Sequence, residues 1–314
     1  MTKMIDDPLL NLAVAKELAA FQAEPQQMPS AAKGKCGRLQ LKFKKTEHKT
    51  ELNYLFRQAP LLVQRALYND DGLPDMPVCS VISVGGGMLQ GDRNQIEIHL
   101  NKDASAHITT QGASRIQQMD ANYASQYQQL ILEENSYLEY LPDITIPYKH
   151  ARFISQTDII LHPTAILFYG EIFMGGRKHH GNERFEFDVL SIKNRILNPQ
   201  NELRFTEKLL YQQLSSNLDS TSVMANFDVF ANVIVAAPPN IVKVIQNGFP
   251  CSFDYANGCA YGISLLPNHV GLALRVVGKE THQVKAVVKK LWQRVRQSAK
   301  NSDLSRAKMN PVYF

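Results

Sequence analysis

From Gly37 onward apolar and polar side chains alternate. Leu39, Leu41 and Phe43 stand against Arg38, Gln40 and Lys42, and Leu52, Tyr54 and Phe56 against Glu51, Asn53 and Arg57, with a parity slip at Leu55. Successive side chains on a strand point to opposite faces, so this period predicts strands with one buried face. The same reading predicts strands over 63–68, 79–84, 96–100, 106–110, 127–132, 137–141 and 152–161, then over 165–174, 184–193, 203–211, 227–236, 260–265 and 271–277. Turn residues separate nearly all of them.

The period changes to that of a helix in two places. Residues 240–246 follow Pro238 and Pro239, which suit a first helical turn. Residues 281–297 carry Val284, Val287, Val288, Leu291, Trp292 and Val295 as one apolar stripe, opposite Lys285, Lys289, Lys290, Arg294 and Arg296. Before residue 34 lie a short helical stretch over 9–21 and a link containing Pro25 and Pro29, where proline fixes φ and removes a donor. The expected organisation is therefore a loosely structured N-terminal extension over 1–33 and one β-rich domain over 34–314. The fold class is mainly β: a layered, β-helix-like or sandwich stack of many short strands, with two α-helices near the C-terminus.

Composition narrows the function classes. The 314 residues are 44% apolar and 20% charged, enough for a large core. Charge is uneven: the stretch from Arg275 to Phe314 carries +8 and the first 274 residues −3, out of +5 in all. Without aromatic RNA-binding signatures or zinc-finger spacings beside it, the basic end reads as a solvated helix face rather than a nucleic-acid surface. Apolar runs are too short for a membrane helix and the start fits neither a secretory nor a transit signal, so a cytoplasmic protein is expected. Cys36, Cys79, Cys251 and Cys259 lack zinc-site spacing and are expected as free thiols. His179 and His180, between Arg177, Lys178 and Gly181, are expected in a surface loop.

The stretch 78–110 holds the densest chemistry, with Gly85, Gly86 and Gly87 before Gly91, Asp92 and Arg93. These glycines are expected to form a structural turn at positive φ. A phosphate loop is excluded, because Asp92 and Arg93 stand where Lys and Ser or Thr are required. Asp92 is expected either to cap the turn, to pair with Arg93, or to serve a site. The carboxylates Glu139, Asp143 and Glu171 admit a second reading, a carboxylate-dependent β-rich hydrolase with these groups in one cleft. Glu171, between Gly170 and Ile172 on an apolar strand, needs a partner if buried.

The segments GKCGRLQLKF, APLLVQRALY, the 85–92 glycine and aspartate stretch, AHITTQGASRI, YLEYLPD with TIPYKHARF, FYGEIFMGGRKHHGNERF and LPNHVGLALRVVG occur in an order that resembles the urease accessory protein family UreD, also called UreH. The resemblance starts at Lys35, leaves the first 33 residues outside, and departs from the family at the ending NPVYF. It implies a non-enzymatic maturation scaffold with a β-helical stack. Such a scaffold binds urease apoprotein and recruits UreF-like and UreG-like partners, with a dimer of the accessory complex among the assemblies it implies. It further implies nickel in transit, not tightly bound, and no nucleotide bound by this chain itself. By motif, Asp92, Thr109, Thr110, Glu139 and Glu171 are the candidates for a nickel path, since oxygen ligands release Ni²⁺ more readily than imidazole or thiolate. For partner binding the resemblance points to the C-terminal helix, with Val284, Val288, Leu291, Trp292 and Arg294.

Overall fold

The computed structural model describes residues 7–23, 36–181, 183–213, 218, 220–254 and 256–304. A short helix α1 (Pro8–Ala13) starts at Asp7, whose carboxylate accepts the Leu9 amide, and a 3-10 segment over Lys16–Phe21 follows. Then come β1 (Cys36–Lys45), β2 (Thr50–Gln58) and β3 (Leu61–Val63). The central run consists of β4 (Val78–Ser83), β5 (Arg93–Leu100), β6 (Ser105–Thr110), β7 (Ser114–Ile116), β8 (Ala124–Leu132) and β9 (Tyr137–Leu141). It continues through β10 (Thr145–Pro147), β11 (Arg152–Leu161), β12 (Ile166–Met174) and β13 (Val189–Leu197). The chain closes with β14 (Leu203–Gln212), β15 (Val229–Ala236), α2 (Pro239–Asn247), β16 (Ser252–Asp254), β17 (Cys259–Leu265), β18 (Gly271–Gly278) and α3 (Thr281–Lys300).

These strands form two sheets. One runs β14-β13-β11-β8-β5-β1-β2, and the other β16-β17-β18-β15-β12-β9-β6-β4-β3, with β7 and β10 as a short side ladder onto β12. Within the first, β1, β5, β8, β11 and β13 are mutually parallel; within the second, β4, β6, β9 and β12 are. From β4 to β13 the chain alternates between the sheets, so each circuit adds one parallel strand to each. That is the layered, β-helix-like stack which the sequence predicts, flanked by antiparallel strands.

Period-two alternation gives the second sheet two different buried faces. Ile108, Leu138, Tyr140, Leu167, Tyr169 and Ile234 pack toward the first sheet. Their sequence neighbours Tyr137, Leu141, Ile166, Phe168 and Val233 pack with α2 and α3. Because both faces are covered, β12 reads as an apolar run whose one charged residue is Glu171. Helix α3 begins with reciprocal bonds between Glu280 and Gln283, and lays Val284, Val287, Val288, Leu291, Trp292 and Val295 on the sheet.

Several expectations change. The predicted strand 63–68 ends at Val63, and 184–193 starts only at Val189. The three-residue strands β7, β10 and β16 are too short to show a period. Loose attachment does not describe residues 8–21: Leu12 and Leu18 are buried against Tyr123, Tyr127, Ile154 and Val189. Glu17 accepts Ser191 Oγ and Lys208 Nζ at 2.6 Å each, and the Arg152 guanidinium lies 4.2 Å from the Phe21 ring centre. The Pro25 and Pro29 link and the NPVYF ending lie outside the described residues.

Candidate functional site

A cavity of about 360 Å³ lies between the sheets. Exposed Gly86, Gly112 and Arg115 stand at its rim, and buried Asn94, Gln128, Tyr140, Ser155 and Glu171 form its deeper wall. Among the described residues no histidine or cysteine lines it. The glycine bend shapes the rim: Gly85, Gly86, Gly87 and Gly91 all take positive φ. At Gly87 a side chain is excluded, since a Cβ would come within 2.6 Å of the Arg115 carbonyl oxygen. Met88 donates to that same carbonyl, tying the bend to β7.

Of the nickel-path candidates, the structure brings Thr110 and Glu171 to this cavity. Thr110 Oγ1 donates to the Gly112 carbonyl and accepts the Asp143 amide, both at 2.9 Å. Asp143 also lines the cavity, and its carboxylate takes Lys285 of α3 at 2.7 Å. Glu171 Oε2 accepts Asn194 Nδ2 at 3.2 Å. Burial pushes the Glu171 carboxyl up to about 7, against the opposing pull of bonds from Asn194 and Tyr169, and the Glu207 charge adds to the rise.

Asp92, Thr109 and Glu139 are not among the lining residues. Asp92 is buried beneath the bend, where its Oδ2 accepts the Leu89 amide at 2.8 Å. The Arg93 guanidinium bonds the Asp92 and Tyr123 carbonyls and Asn122. Thr109 and Glu139 precede Thr110 and Tyr140 by one position, so alternation turns them to the helix side of the sheet. There Glu139, fully buried, receives Arg296 Nε at 2.9 Å and Nη2 at 2.6 Å, Tyr137 Oη at 2.6 Å and His107 Nδ1 at 2.9 Å. Burial raises the Glu139 carboxyl, but the Arg296 charge and the bonds from His107 and Arg296 overcome this and hold it well below the usual range. Asp70 takes Arg296 Nη1 at 2.5 Å, and the His107 ring stacks on Trp292. The hydrolase reading needs Glu139, Asp143 and Glu171 in one cleft, and Glu139 is on the wrong face.

The partner-binding expectation for α3 is corrected by burial. Val284, Val288, Leu291 and Trp292 are spent on the protein's own core, at 1% exposure or less. Arg294 is half-buried and donates to the Val244 carbonyl of α2. A helix lying on a sheet buries its apolar stripe, so its outer surface is the polar one.

The cysteines are free, as expected, and burial pushes the Cys79 thiol up to about 12. His179 and His180 are exposed. Among the described residues no group of three or more His, Cys, Asp or Glu side chains is placed to hold a metal ion, and no helix is long and apolar enough to cross a membrane. Sequence reading missed Asn194, Glu207, Asn232 and Arg275, which surround Glu171. Asn232 and Arg275 carried a signal as single polar residues in apolar strands, whereas Asn194 and Glu207 were hidden inside the polar triplets 193–195 and 206–208.

Residues 35–309 match the family model described as UreD urease accessory protein. The urease accessory protein UreD 3 of Methylorubrum populi is 46% identical over 299 residues, covering 95% of this chain and 96% of its own. UreD 2 of Methylorubrum extorquens is 46% identical over 302 residues, covering 96% and 97%. UreD 2 of Brucella canis is 44% identical over 294 residues, covering 93% and 97%. With 96% of 314 residues covered, only about 13 stay outside the match, so the likeness extends into the first 33 residues, which the motifs alone left out.

Proposed function

Because the chain belongs to the UreD family of urease accessory proteins, we propose that it holds urease apoprotein, recruits UreF-like and UreG-like partners in the cytoplasm, and lets nickel pass through its inter-sheet cavity toward the urease active site. The observation that carries the passage is the chemistry of the cavity wall. Amides, hydroxyls and the carboxylates of Asp143 and Glu171 supply its polar groups, beside Arg115 and an apolar lining that includes Met88, and no described histidine or cysteine lines it. Oxygen donors hold a borderline cation weakly enough to release it, whereas His and Cys would retain it.

In this reading Thr110 and Asp143 stand near the rim and Glu171 deeper in. Asp92 shapes the entrance by holding the glycine bend, and Glu139 keeps α3 on the sheet. Nucleotide hydrolysis belongs to the separate UreG-like partner. The test is co-expression with urease subunits and the accessory partners. Co-purification with apo-urease and loss of urease activation when the chain is omitted are expected. Full activation without it, or no association, would overturn the proposal.

A further inference from the structure

Beyond the cavity, a polar layer continues between the sheets toward the surface. Glu171, Asn232 and Arg275 are register neighbours on β12, β15 and β18, and Asn194 and Glu207 face each other on β13 and β14. Asn194, 1% exposed, turns one amide nitrogen to both carboxylates, 3.2 Å from Glu171 Oε2 and 3.1 Å from Glu207 Oε1. The two carboxylate oxygens are therefore no more than 6.3 Å apart. Asn232 Nδ2 also donates to Glu207 Oε1, at 2.5 Å, and Arg275 Nη2 to Glu207 Oε2.

The two asparagines are the independent sign. Asn194 Oδ1 and Asn232 Oδ1 are buried without a hydrogen-bond partner among the described residues. A buried acceptor left unmet is costly. A half-turn of the amide exchanges nitrogen for oxygen at the same place, so the amides that now donate, Asn194 to both carboxylates and Asn232 to Glu207, can instead present oxygens beside them. Two carboxylates and two amide oxygens suit a weakly held divalent cation. Arg275, half exposed at 50% where Glu207 is 17% exposed, supplies the positive charge at the outer end.

We propose that Glu171, Asn194, Glu207 and Asn232 form a divalent-cation station between the cavity and the surface, with the Arg275 guanidinium as its displaceable counter-ion. A cation arriving at Glu171 recruits the amide oxygens and competes with Arg275 for Glu207, which opens the layer outward. The station takes its purpose from the transit reading above, but its chemistry belongs to this chain alone.

The test titrates Ni²⁺ by calorimetry and Mn²⁺ by electron paramagnetic resonance into the full chain, with Glu207→Gln, Arg275→Gln and Arg275→Met variants checked for folding by thermal melting. Removing the competing guanidinium is expected to tighten binding about tenfold, and removing the Glu207 charge to weaken it about tenfold, in line with one unit charge gained or lost at short range. Arg275→Met preserves the packing of the stem should Arg275→Gln melt early. Identical affinities in wild type and both kinds of variant would reduce the cluster to a structural ion pair and overturn the station. A chain that shows the opposite shifts yet fails to associate with apo-urease would leave the station standing and overturn the accessory reading instead.

Discussion

Arg296, near the end of α3, grips Glu139 of β9 with two parallel hydrogen bonds across 157 residues of sequence, and neither side chain has any exposure to solvent. Asp70 closes the other side of the guanidinium. Bidentate pairing is the strongest form such a contact takes, and a buried charge deprived of its partner costs about 3–5 kcal/mol. Arg296→Met and Glu139→Gln are each expected to lose stability on that scale in urea unfolding, with partial recovery in the double variant. Equal and additive losses would mean that the two residues do not act as a pair.

Trp292 stands beside this pair, stacked on His107 and 1% exposed. Trp292→Ala is expected to cost about 3–5 kcal/mol, as for other large-to-small core changes. The thermal melt of the isolated chain reads this directly. A Trp292→Ala protein that melts as wild type while losing a partner would restore the helix's apolar stripe as a docking surface.

Glu171 links stability to pH. Its folded carboxyl sits at about 7 against 4.5 when solvated, so the folded chain keeps a proton that the unfolded chain sheds. Stability should therefore fall as pH rises from about 4.5 to about 7 and stay lower above that, by ~3 kcal/mol at 1.36 kcal/mol per unit. The carboxyl is faced by Tyr140, Tyr169, Glu207 and Arg275. In Glu171→Gln this falling limb should vanish, leaving the variant the more stable protein at pH 8 and equal to wild type near pH 4.5. Denaturant melts at a series of pH values decide it.

The N-terminal segment offers a cleaner case of local stability, because Leu18 is fully buried while Lys16, Ala19 and Ala20 around it are exposed. Leu18→Ala is expected to free residues 8–21 from the sheet, raising their amide exchange and protease sensitivity at least tenfold without shifting the global melt. A fall in the global melting temperature would show that the segment folds as one unit with the sheets.

The sequence announced most of the strands, both long helices and the glycine bend because each carries a local period or a local steric demand. Leu39, Leu41 and Phe43 declare one face of β1 by alternation alone, and the stripe through Trp292 declares α3. What alternation could not supply was the partner of each face. Thr109 and Thr110, or Glu139 and Tyr140, are adjacent in sequence and lie on opposite sides of one sheet, so a motif naming both members of a pair could not say which one meets the cavity. Parity with Tyr169 and Glu171 was the missing step, and it needed the register of β9 against β12. The burial of the α3 stripe was illegible for the converse reason: an apolar stripe looks the same whether it awaits a partner chain or already lies on its own sheet.

The proposed passage is open to a steric test. Ser155 is buried, lines the cavity, and faces an opening of about 360 Å³. Leucine there adds volume where space exists, so the overpacking cost should stay near or below about 1–3 kcal/mol, while the apolar side chain displaces the water and polar groups a hydrated cation needs. Ser155→Leu is expected to keep its fold and its association with apo-urease and to cut urease activation at least fivefold. Ser155→Thr, which keeps the hydroxyl, should retain most of it. Urease activity after co-expression, beside a pull-down of the assembled complex, separates the outcomes: wild-type activation by the leucine variant would mean that nickel does not travel between the sheets.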